Sequence, residues 1–316
     1  MKLFAPAYYP AFRCIASDCR HSCCIGWAIG IDPESRARYK SLPPKERKAI
    51  LTPTVTQKGC TFFRLAPDGR CPHLTKEGLC RLILAHGEGI LCHICREHPR
   101  FYNHFSRRTE VGLGLCCEEA ARLILTDPDP FRLICLEEDE REIGVPDPFE
   151  AIFFRRREEV FRILGDRTLP LPLRIGQLSE SYSLSRAAIY ESDRRWQQIY
   201  RNLERLDPAW DGALSAWETT SLSCTLPDSP AAEQLIAYFL YRHLPGARED
   251  GRYAKRVGFA LLSAHVILRI ASGIAADDLP TLIDVARAYS AEVEYDEDNV
   301  EAILQAFSHD CENITD

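Results

Sequence analysis

The chain has 316 residues, of which 46% are hydrophobic and 27% are charged, and its net charge is −7. This length exceeds that of a minimal disulfide-stapled scaffold and favours two domains, or one large domain with an appendage. No apolar run approaches the roughly 18 residues of a membrane-spanning helix, and the first residues do not have the pattern of a signal peptide. We therefore expect a cytoplasmic protein without a membrane partner.

The charge is distributed unevenly along the chain. Residues 1–126 carry a net charge of +8, and residues 127–316 carry −15. A basic half can meet an anionic ligand and an acidic half a cationic partner, although a merely solvated surface explains the pattern equally well. Because the basic half lacks a stripe of basic residues interleaved with aromatic ones, we do not expect nucleic acid as a partner.

The first half of the chain predicts short elements. Residues 1–30 show little periodicity and are expected to be irregular. Asp32 can cap a helix and Pro33 suits its first turn, so a helix is predicted through Arg38. Short strands or loops joined by turns are expected in residues 58–80, which contain several glycines. Two further helices, a helical turn and a strand complete this half, in the order Lys45–Leu51, Leu79–Ala85 (the helical turn), Arg107–Leu115 (the strand) and Cys117–Thr126.

The second half of the chain is predicted to be helical, because apolar residues recur at helical spacing. We predict a mainly α fold with an irregular cysteine-rich metal-binding domain in residues 1–126, a linker in 127–147 and an all-α helical bundle in 148–316. No repeat of 20–50 residues is visible, which argues against a repeat array. The predicted helices are Phe149–Leu164, Ser183–Leu206, Ala231–Leu244, Tyr253–Ala275, Asp278–Ser290 and Asn299–Phe307.

Cysteines are the most informative residues in the chain. Eleven of its 14 cysteines lie in the first 117 residues and are grouped. In a reducing compartment, clustered cysteines are better explained as metal ligands than as disulfides. Cys135, Cys224 and Cys311 are isolated and are read as core or surface residues, and Cys60 is ambiguous. The predicted metal ligands are Cys14, Cys19, Cys23, Cys24, Cys71, Cys80, Cys92, Cys95 and Cys117.

The spacing of these cysteines leaves the identity of the metal open. A structural zinc and a [4Fe-4S] cluster each take four protein ligands, so nine candidates exceed one site. Only Cys92 and Cys95 have the C-x2-C spacing of a zinc ribbon, and the irregular remainder favours an iron–sulfur cluster with zinc as the alternative. His21, His73 or His93 could replace a thiolate. Arg100 follows Cys95 closely and could bind a carboxylate or phosphate near the centre.

Several segments resemble the flagellin lysine-N-methylase family (FliB-like). They cover nearly the whole chain, and the cysteine segments are the more specific ones. Two positions depart from the family pattern: His98, where the family usually has tyrosine, and Glu118, where it usually has proline. The segments that carry the resemblance are Phe12–Asp32, Cys71–Cys80, Cys92–Arg100, Cys117–Arg122, Tyr238–His243 and Ala288–Glu301.

The resemblance implies an enzyme that methylates the ε-amines of surface lysines on flagellin. S-adenosylmethionine (SAM) would be the methyl donor, and a [4Fe-4S] cluster would take part. No glycine-rich dinucleotide or SAM fingerprint is visible, so the cysteine region is the best candidate for holding SAM. The acidic half would guide the lysine-bearing protein, and no residue is identified as the base that deprotonates lysine.

Two other classes of function remain open. The first is a non-catalytic zinc- or iron-chelating protein whose helical domain binds a partner. The second is a redox sensor that uses exposed cysteines of low pKa and forms reversible disulfides without metal. Stoichiometric binding of SAM would distinguish the enzyme from the chelator.

Overall fold

The chain forms two compact units in a computed structural model that describes residues 2–138, 147–185, 189, 193–220, 226–274 and 278–307. The small unit is Arg13–Arg100, and the large unit combines Met1–Phe12 with Phe101–Asp316. The predicted domains, 1–126 and 148–316, do not coincide with these bounds. Residues 139–146 of the predicted linker lie outside the described residues, as do Cys224 and Cys311.

The small unit consists of short elements around an antiparallel three-stranded sheet. In this sheet, β4 (Cys60–Phe63) lies between β2 (Gly30–Ile31) and β3 (Thr54–Gln57). The cap predicted at Asp32 is confirmed, because its Oδ1 accepts a hydrogen bond from the Ser35 amide at 2.8 Å. The elements are β2 (Gly30–Ile31), α1 (Pro33–Ser41), α2 (Pro44–Leu51), β3 (Thr54–Gln57), β4 (Cys60–Phe63), α3 (Arg81–His86) and α4 (His93–Glu97).

The large unit contains a four-stranded sheet that the sequence only partly predicts. In this sheet, β1 (Lys2–Pro6) lies between β6 (Arg108–Leu113), to which it is parallel, and β7 (Leu133–Glu138), to which it is antiparallel. Strand β5 (Arg100–His104) lies on the other side of β6. The expectation of irregular chain in residues 1–30 is therefore wrong for β1, which explains why the first 12 residues belong to this unit. The strands are β1 (Lys2–Pro6), β5 (Arg100–His104), β6 (Arg108–Leu113) and β7 (Leu133–Glu138).

Helices make up most of the large unit, as predicted. Among the described residues, α7, α9 and the short α11 have no predicted counterpart, and the predicted helix Ser183–Leu206 is represented by α8. The helices are α5 (Glu118–Leu125), α6 (Pro148–Gly165), α7 (Leu171–Ser181), α8 (Asp193–Arg201), α9 (Trp210–Thr219), α10 (Pro230–His243), α11 (Ala247–Asp250), α12 (Tyr253–Gly273), α13 (Leu279–Tyr289) and α14 (Glu297–Ala306).

Helix α12 forms the centre of the hydrophobic core of the large unit. It packs against α9, α10 and α13, and residues such as Phe259, Leu262 and Val266 are fully buried. In the described part of the chain, α12 alone is long and apolar enough to cross a membrane, contrary to the sequence expectation that no such run exists. Because 78% of its apolar window is buried inside the protein, it has the character of a core helix.

Candidate thiol site and polar cleft

Backbone pairing brings cysteines from distant parts of the small unit towards one another. The Cys71 amide donates a hydrogen bond to the Cys24 carbonyl at 2.8 Å, and a bridge between Ile25 and Arg70 extends this pairing. A second bridge places Cys80 opposite Leu74. Segments that are about 50 residues apart in the sequence therefore present their thiols to one region.

Cys92 and Cys95 complete this group at the start of α4. Cys92 precedes the helix as its N-cap and Cys95 lies in its first turn, so their spacing places both on one side, as predicted. Helix α1 fixes this segment from two sides. Asp32 Oδ2 accepts a hydrogen bond from the His93 amide at 2.8 Å, and Arg38 Nη2 donates to the Leu91 carbonyl at 2.8 Å.

An apolar cluster surrounds the five thiols. Cys71 and Cys92 are buried members of the cluster, and Cys24, Cys80 and Cys95 pack against it half-buried. We call these five residues the thiol site. Tyr39, fully buried in the same cluster, has a hydroxyl without a hydrogen-bond partner of good geometry among the described residues. The remaining apolar members are Ile29, Ile31, Ile50, Phe63, Leu82 and Ile90.

The thiols differ in their readiness to ionise. A hydrogen bond from Cys23 lowers the pKa of Cys24 to about 7, and a hydrogen bond from Cys95 lowers the pKa of Cys92 to about 7. The same pairing raises the pKa of Cys95. Burial raises the pKa of Cys71 to about 11, and it raises that of Cys80 as well. Without a cation, the site thus favours one thiolate in each hydrogen-bonded pair.

The other predicted ligands are not members of this cluster. Cys14 and Cys23 are exposed, although Cys23 hydrogen-bonds Cys24. The Cys19 thiol donates to the His21 carbonyl at 3.2 Å, and the chain at Cys19 is extended after a short 3-10 turn. The local helix that would align Cys19 with Cys23 is therefore absent from this described segment. Cys117 belongs to the large unit, where it is the N-cap of α5.

Arg100, the predicted anion-binding residue, is half-buried at the end of the small unit. Its Nη1 donates a weak hydrogen bond to the Arg96 carbonyl at 3.3 Å, which ties it to α4. Among the described residues, no three His, Cys, Asp or Glu side chains are arranged to hold a metal ion without adjustment. The assignment of ligands therefore stays a prediction.

Two histidines of the small unit are also enclosed. His73 is buried, contacts Phe63 edge-on with ring centroids 4.8 Å apart, and leaves Nε2 without a partner in the described structure. His98 lies 6.0 Å from the Trp27 ring, and its Nε2 likewise has no described partner. Burial lowers the pKa of both, that of His98 to about 4.

The low pKa of His98 predicts a loss of stability in acid. The unfolded chain takes up a proton near pH 6.5 whereas the folded chain does not, so the stability from His98 is present above pH 6.5 and declines towards pH 4. The expected slope is at most about 1.4 kcal/mol per pH unit. We expect His98→Tyr to flatten the pH dependence of urea unfolding between pH 7 and 5. An unaltered slope in His98→Tyr would contradict this assignment.

The large unit contains a buried carboxylate network centred on Glu294, whose side chain is fully inaccessible. Its Oε1 accepts from Tyr238 Oη, His243 Nε2 and Arg242 Nε, each at 2.8 Å. Its Oε2 accepts from Ser290 Oγ at 2.5 Å. Burial alone would raise the pKa of Glu294, but Arg242 and the hydrogen bond to His243 outweigh it and hold the pKa below 4.5.

Glu294 owes its position to an irregular helix end. Ser290–Glu294 form a π-helical turn directly after α13, and such turns are often found at functional sites. Next to it, the Arg242 guanidinium lies 4.5 Å from the centre of the Tyr295 ring. Gly114 fits here because a Cβ atom would collide with the Tyr295 hydroxyl. Two segments that carry the family resemblance therefore meet at Glu294. They are Tyr238–His243 and Ala288–Glu301, to which the sequence alone assigned no role.

A cleft of about 370 Å³ opens beside this network. Arg242 and His243 face both the cleft and Glu294. Two more arginines at the cleft are compensated by carboxylates, Arg248 by Glu150 at 3.3 Å and Arg256 by Asp250 at 2.5 Å. The full lining is Tyr102, Asn103, His104, Phe105, Arg242, His243, Pro245, Gly246, Arg248, Glu249 and Arg256.

Comparison with known proteins confirms the resemblance to the flagellin lysine-N-methylase family. Proteins named Lysine-N-methylase from Salmonella typhimurium and Salmonella choleraesuis are each 29% identical over 139 residues, which are 40% of this chain and 33% of those proteins. The flagellar biosynthetic protein FliU of Salmonella muenchen is 28% identical over 139 residues, 40% of this chain and 79% of that protein. The match thus spans about a third of the two lysine-N-methylases, and it covers less of this chain than the nearly complete coverage expected from the sequence. No family model matches the chain, and neither does any solved structure.

Proposed function

We propose that this chain is a protein-lysine N-methyltransferase that uses SAM as methyl donor and flagellin, or another lysine-bearing protein, as substrate. The observation that carries the proposal is the similarity to two proteins named Lysine-N-methylase. The flagellar name of a third relative supports flagellin as the substrate. A cytoplasmic location is part of the proposal, because a reducing compartment keeps clustered thiols available for metal.

We further propose that the small unit is a metal-binding domain in which cysteines of the thiol site hold a [4Fe-4S] cluster, with zinc as the alternative. The five cysteines of the thiol site suit an iron–sulfur cluster, because their thiols lie within an apolar cluster of side chains. The irregular spacing of the cysteines favours the cluster over a zinc site.

The chain's own residues would support such a centre in specific ways. Cys24 and Cys92, with pKa values of about 7, are the thiols that most readily supply thiolates. Burial raises the pKa of the Tyr39 hydroxyl, and the nearby charges of Cys92 and Cys95 raise it further. When bound through three cysteines, the cluster would offer one iron to the amino and carboxylate groups of SAM. Arg100 would then bind the SAM carboxylate.

Methyl transfer to lysine sets a condition on the amine. The amine must be neutral, because the ammonium form has no lone pair, and a free lysine has a pKa of about 10.4. The enzyme must therefore lower this pKa or supply a base. The acidic surface of residues 127–316 attracts lysine-bearing protein and acts at a longer range.

The experiment that tests the proposal is methyl transfer from isotopically labelled SAM. The chain is purified without oxygen and incubated with flagellin, and peptide mass spectrometry then locates the label. We expect methylated lysines on flagellin and none when SAM is omitted. Label on no protein, from a preparation that retains its metal, would overturn the proposal.

The alternative function is a non-catalytic metal-chelating protein. It is favoured by one observation: the match covers only about a third of the lysine-N-methylases. Calorimetric titration with SAM separates the two functions. The enzyme binds one SAM per chain, whereas the chelator holds metal and does not bind SAM.

A further inference from the structure

We propose that the cleft of the large unit binds a carboxylate group, which the protein substrate supplies as an aspartate or glutamate side chain. The source of the carboxylate rests on the proposed function, whereas the anion-binding character of the cleft rests on the structure alone. The inference names a ligand class for a cleft without an assigned ligand, and it concerns residues of the large unit only.

The charged side chains that line the cleft are mostly hydrogen-bond donors. Three guanidinium groups line it, those of Arg242, Arg248 and Arg256. Each is paired with a carboxylate that is not itself a lining residue, and these carboxylates belong to Glu294, Glu150 and Asp250, respectively. Glu249 is the one acidic residue in the described lining, and its side chain is largely exposed. A ligand in the cleft therefore meets mainly guanidinium donors.

Arg242 is positioned at the cleft by three contacts. Its Nε lies 2.8 Å from Glu294 Oε1, and its guanidinium group lies 4.6 Å from the centre of the Phe101 ring and 4.5 Å from that of Tyr295. Its Nη1 donates only a weak hydrogen bond of 3.4 Å to the Tyr295 hydroxyl. Because a guanidinium group has five N–H donors, these contacts leave donors for a ligand.

Arg248 and Arg256 are held by backbone carbonyls as well as by carboxylates. Arg248 Nη1 donates to the His104 carbonyl at 2.9 Å, and Arg256 Nη1 donates to the His243 carbonyl at 3.0 Å. These bonds restrict both side chains before a ligand arrives, which reduces the entropy lost on binding. The planar fork of a guanidinium group matches the two oxygens of a carboxylate.

A further donor at the cleft is unpaired. Asn103 is a lining residue, and its buried Nδ2 atom has no hydrogen-bond partner among the described residues. An unpaired buried donor costs free energy, and an acceptor oxygen of a ligand would remove this cost. The amide thus supports an acceptor-bearing ligand independently of the arginines.

The position of the cleft favours a carboxylate that belongs to an extended protein segment. Strand β5 lies at the edge of its sheet, with β6 as its neighbour. Three successive residues of β5, Tyr102 to His104, line the cleft, although successive side chains of a strand point to opposite faces. The cleft therefore follows the free edge of β5, where an extended segment of another protein can lie.

The charge balance of the cleft favours a carboxylate over a phosphate. Each of the three arginines is already paired with one carboxylate, so the site has little excess positive charge. A carboxylate adds one negative charge, whereas a phosphate monoester adds about 1.5 to 2. We therefore expect the cleft to bind glutamate in preference to phosphoserine.

The test is an NMR titration of the arginine Nε–H groups in the full chain, purified without oxygen. The probe is N-acetylglutamate N-methylamide, which has one side-chain carboxylate, and the matched glutamine and phosphoserine compounds are its controls. We expect saturable shifts of the Arg242 and Arg248 signals, with a dissociation constant on the order of 1 mM for the probe. Binding of both controls should be at least about tenfold weaker.

Three outcomes of the titration would overturn the inference. They are the absence of a saturable shift with the glutamate probe, equal binding of the glutamine compound, and tighter binding of the phosphoserine compound.

Arg248→Gln tests the contribution of one guanidinium group. Glu150 stays hydrogen-bonded in this variant, because it also accepts from the Ser106 amide at 2.7 Å and the Ser106 hydroxyl at 2.5 Å. We expect about tenfold weaker binding of the glutamate probe. The control is Arg201→Gln, since Arg201 pairs with Glu218 at 2.9 Å in the same unit but does not line the cleft. Equal affinity of Arg248→Gln and the wild type would overturn the inference.

Methyl transfer to flagellin tests the source of the carboxylate. We expect Arg248→Gln to raise the KM for flagellin about tenfold with little change in kcat, because the lost contact is one of binding. An unchanged KM beside saturable probe binding would assign the cleft to a free small carboxylate and overturn its assignment to the protein substrate. If the wild type transfers no methyl group, the proposed function fails, whereas probe binding still decides whether the cleft binds a carboxylate.

Discussion

Replacing Cys92 with serine is expected to remove most of the metal from the purified protein. Cys92 is buried in the thiol site at the start of α4, and the hydrogen bond from Cys95 favours its thiolate form. Serine keeps the size of the side chain but is a poor ligand for a soft metal at neutral pH. We expect bound iron to fall from about four ions per chain to fewer than about one.

The control for this experiment is Cys60→Ser. Cys60 is exposed at the start of β4 in the same unit, and it is not a member of the apolar cluster around the thiols. Iron, zinc and sulfide are measured for both variants after purification without oxygen. Equal metal in Cys92→Ser and the wild type would contradict the assignment of the thiol site, and loss of metal in both variants would point to general instability.

The second large effect is expected when Glu294 is replaced by glutamine. Glu294 is fully buried and accepts hydrogen bonds from Tyr238, His243 and Ser290 as well as from Arg242. Glutamine carries no charge and presents two N–H donors where the carboxylate only accepts. Because the Arg242 charge would then be buried without compensation, the free energy of unfolding should fall by about 3–5 kcal/mol.

Glu249→Gln is the matched control for Glu294→Gln. The Glu249 side chain is 77% exposed, so its loss should change the free energy of unfolding by less than about 0.5 kcal/mol. Urea unfolding followed by circular dichroism measures both variants against the wild type. A change below 1 kcal/mol in Glu294→Gln would mean that the network contributes little to folding.

Local features of this chain could be predicted from its sequence. The Asp32 cap, the helices of the second half and the Cys92–Cys95 pair depend on residues within one or two helical turns of each other. The Asp32 cap is confirmed by its hydrogen bond, and the predicted helices of the second half are confirmed within the described residues. The metal-binding role of Cys92 and Cys95 stays a prediction. The resemblance to lysine-N-methylases is also confirmed, over 139 residues of the chain.

Features that depend on distant parts of the chain could not be predicted. Strand β1 pairs with Arg108–Leu113 and Leu133–Glu138, more than 100 residues away, and nothing near Lys2–Pro6 indicates these partners. Cys24 meets Cys71 through backbone hydrogen bonds that no side-chain pattern encodes. Likewise, His243 and Glu294 are 51 residues apart, so their pairing becomes visible only in the folded unit.

The most direct test of the central claim is metal and sulfide analysis of the wild-type protein purified without oxygen, together with an EPR spectrum before and after SAM is added. The account predicts about four irons and four sulfides per chain and a signal that changes with SAM. Zinc without sulfide, or an iron signal that SAM leaves unchanged, would contradict the claim that the thiol site holds a cluster in contact with the methyl donor.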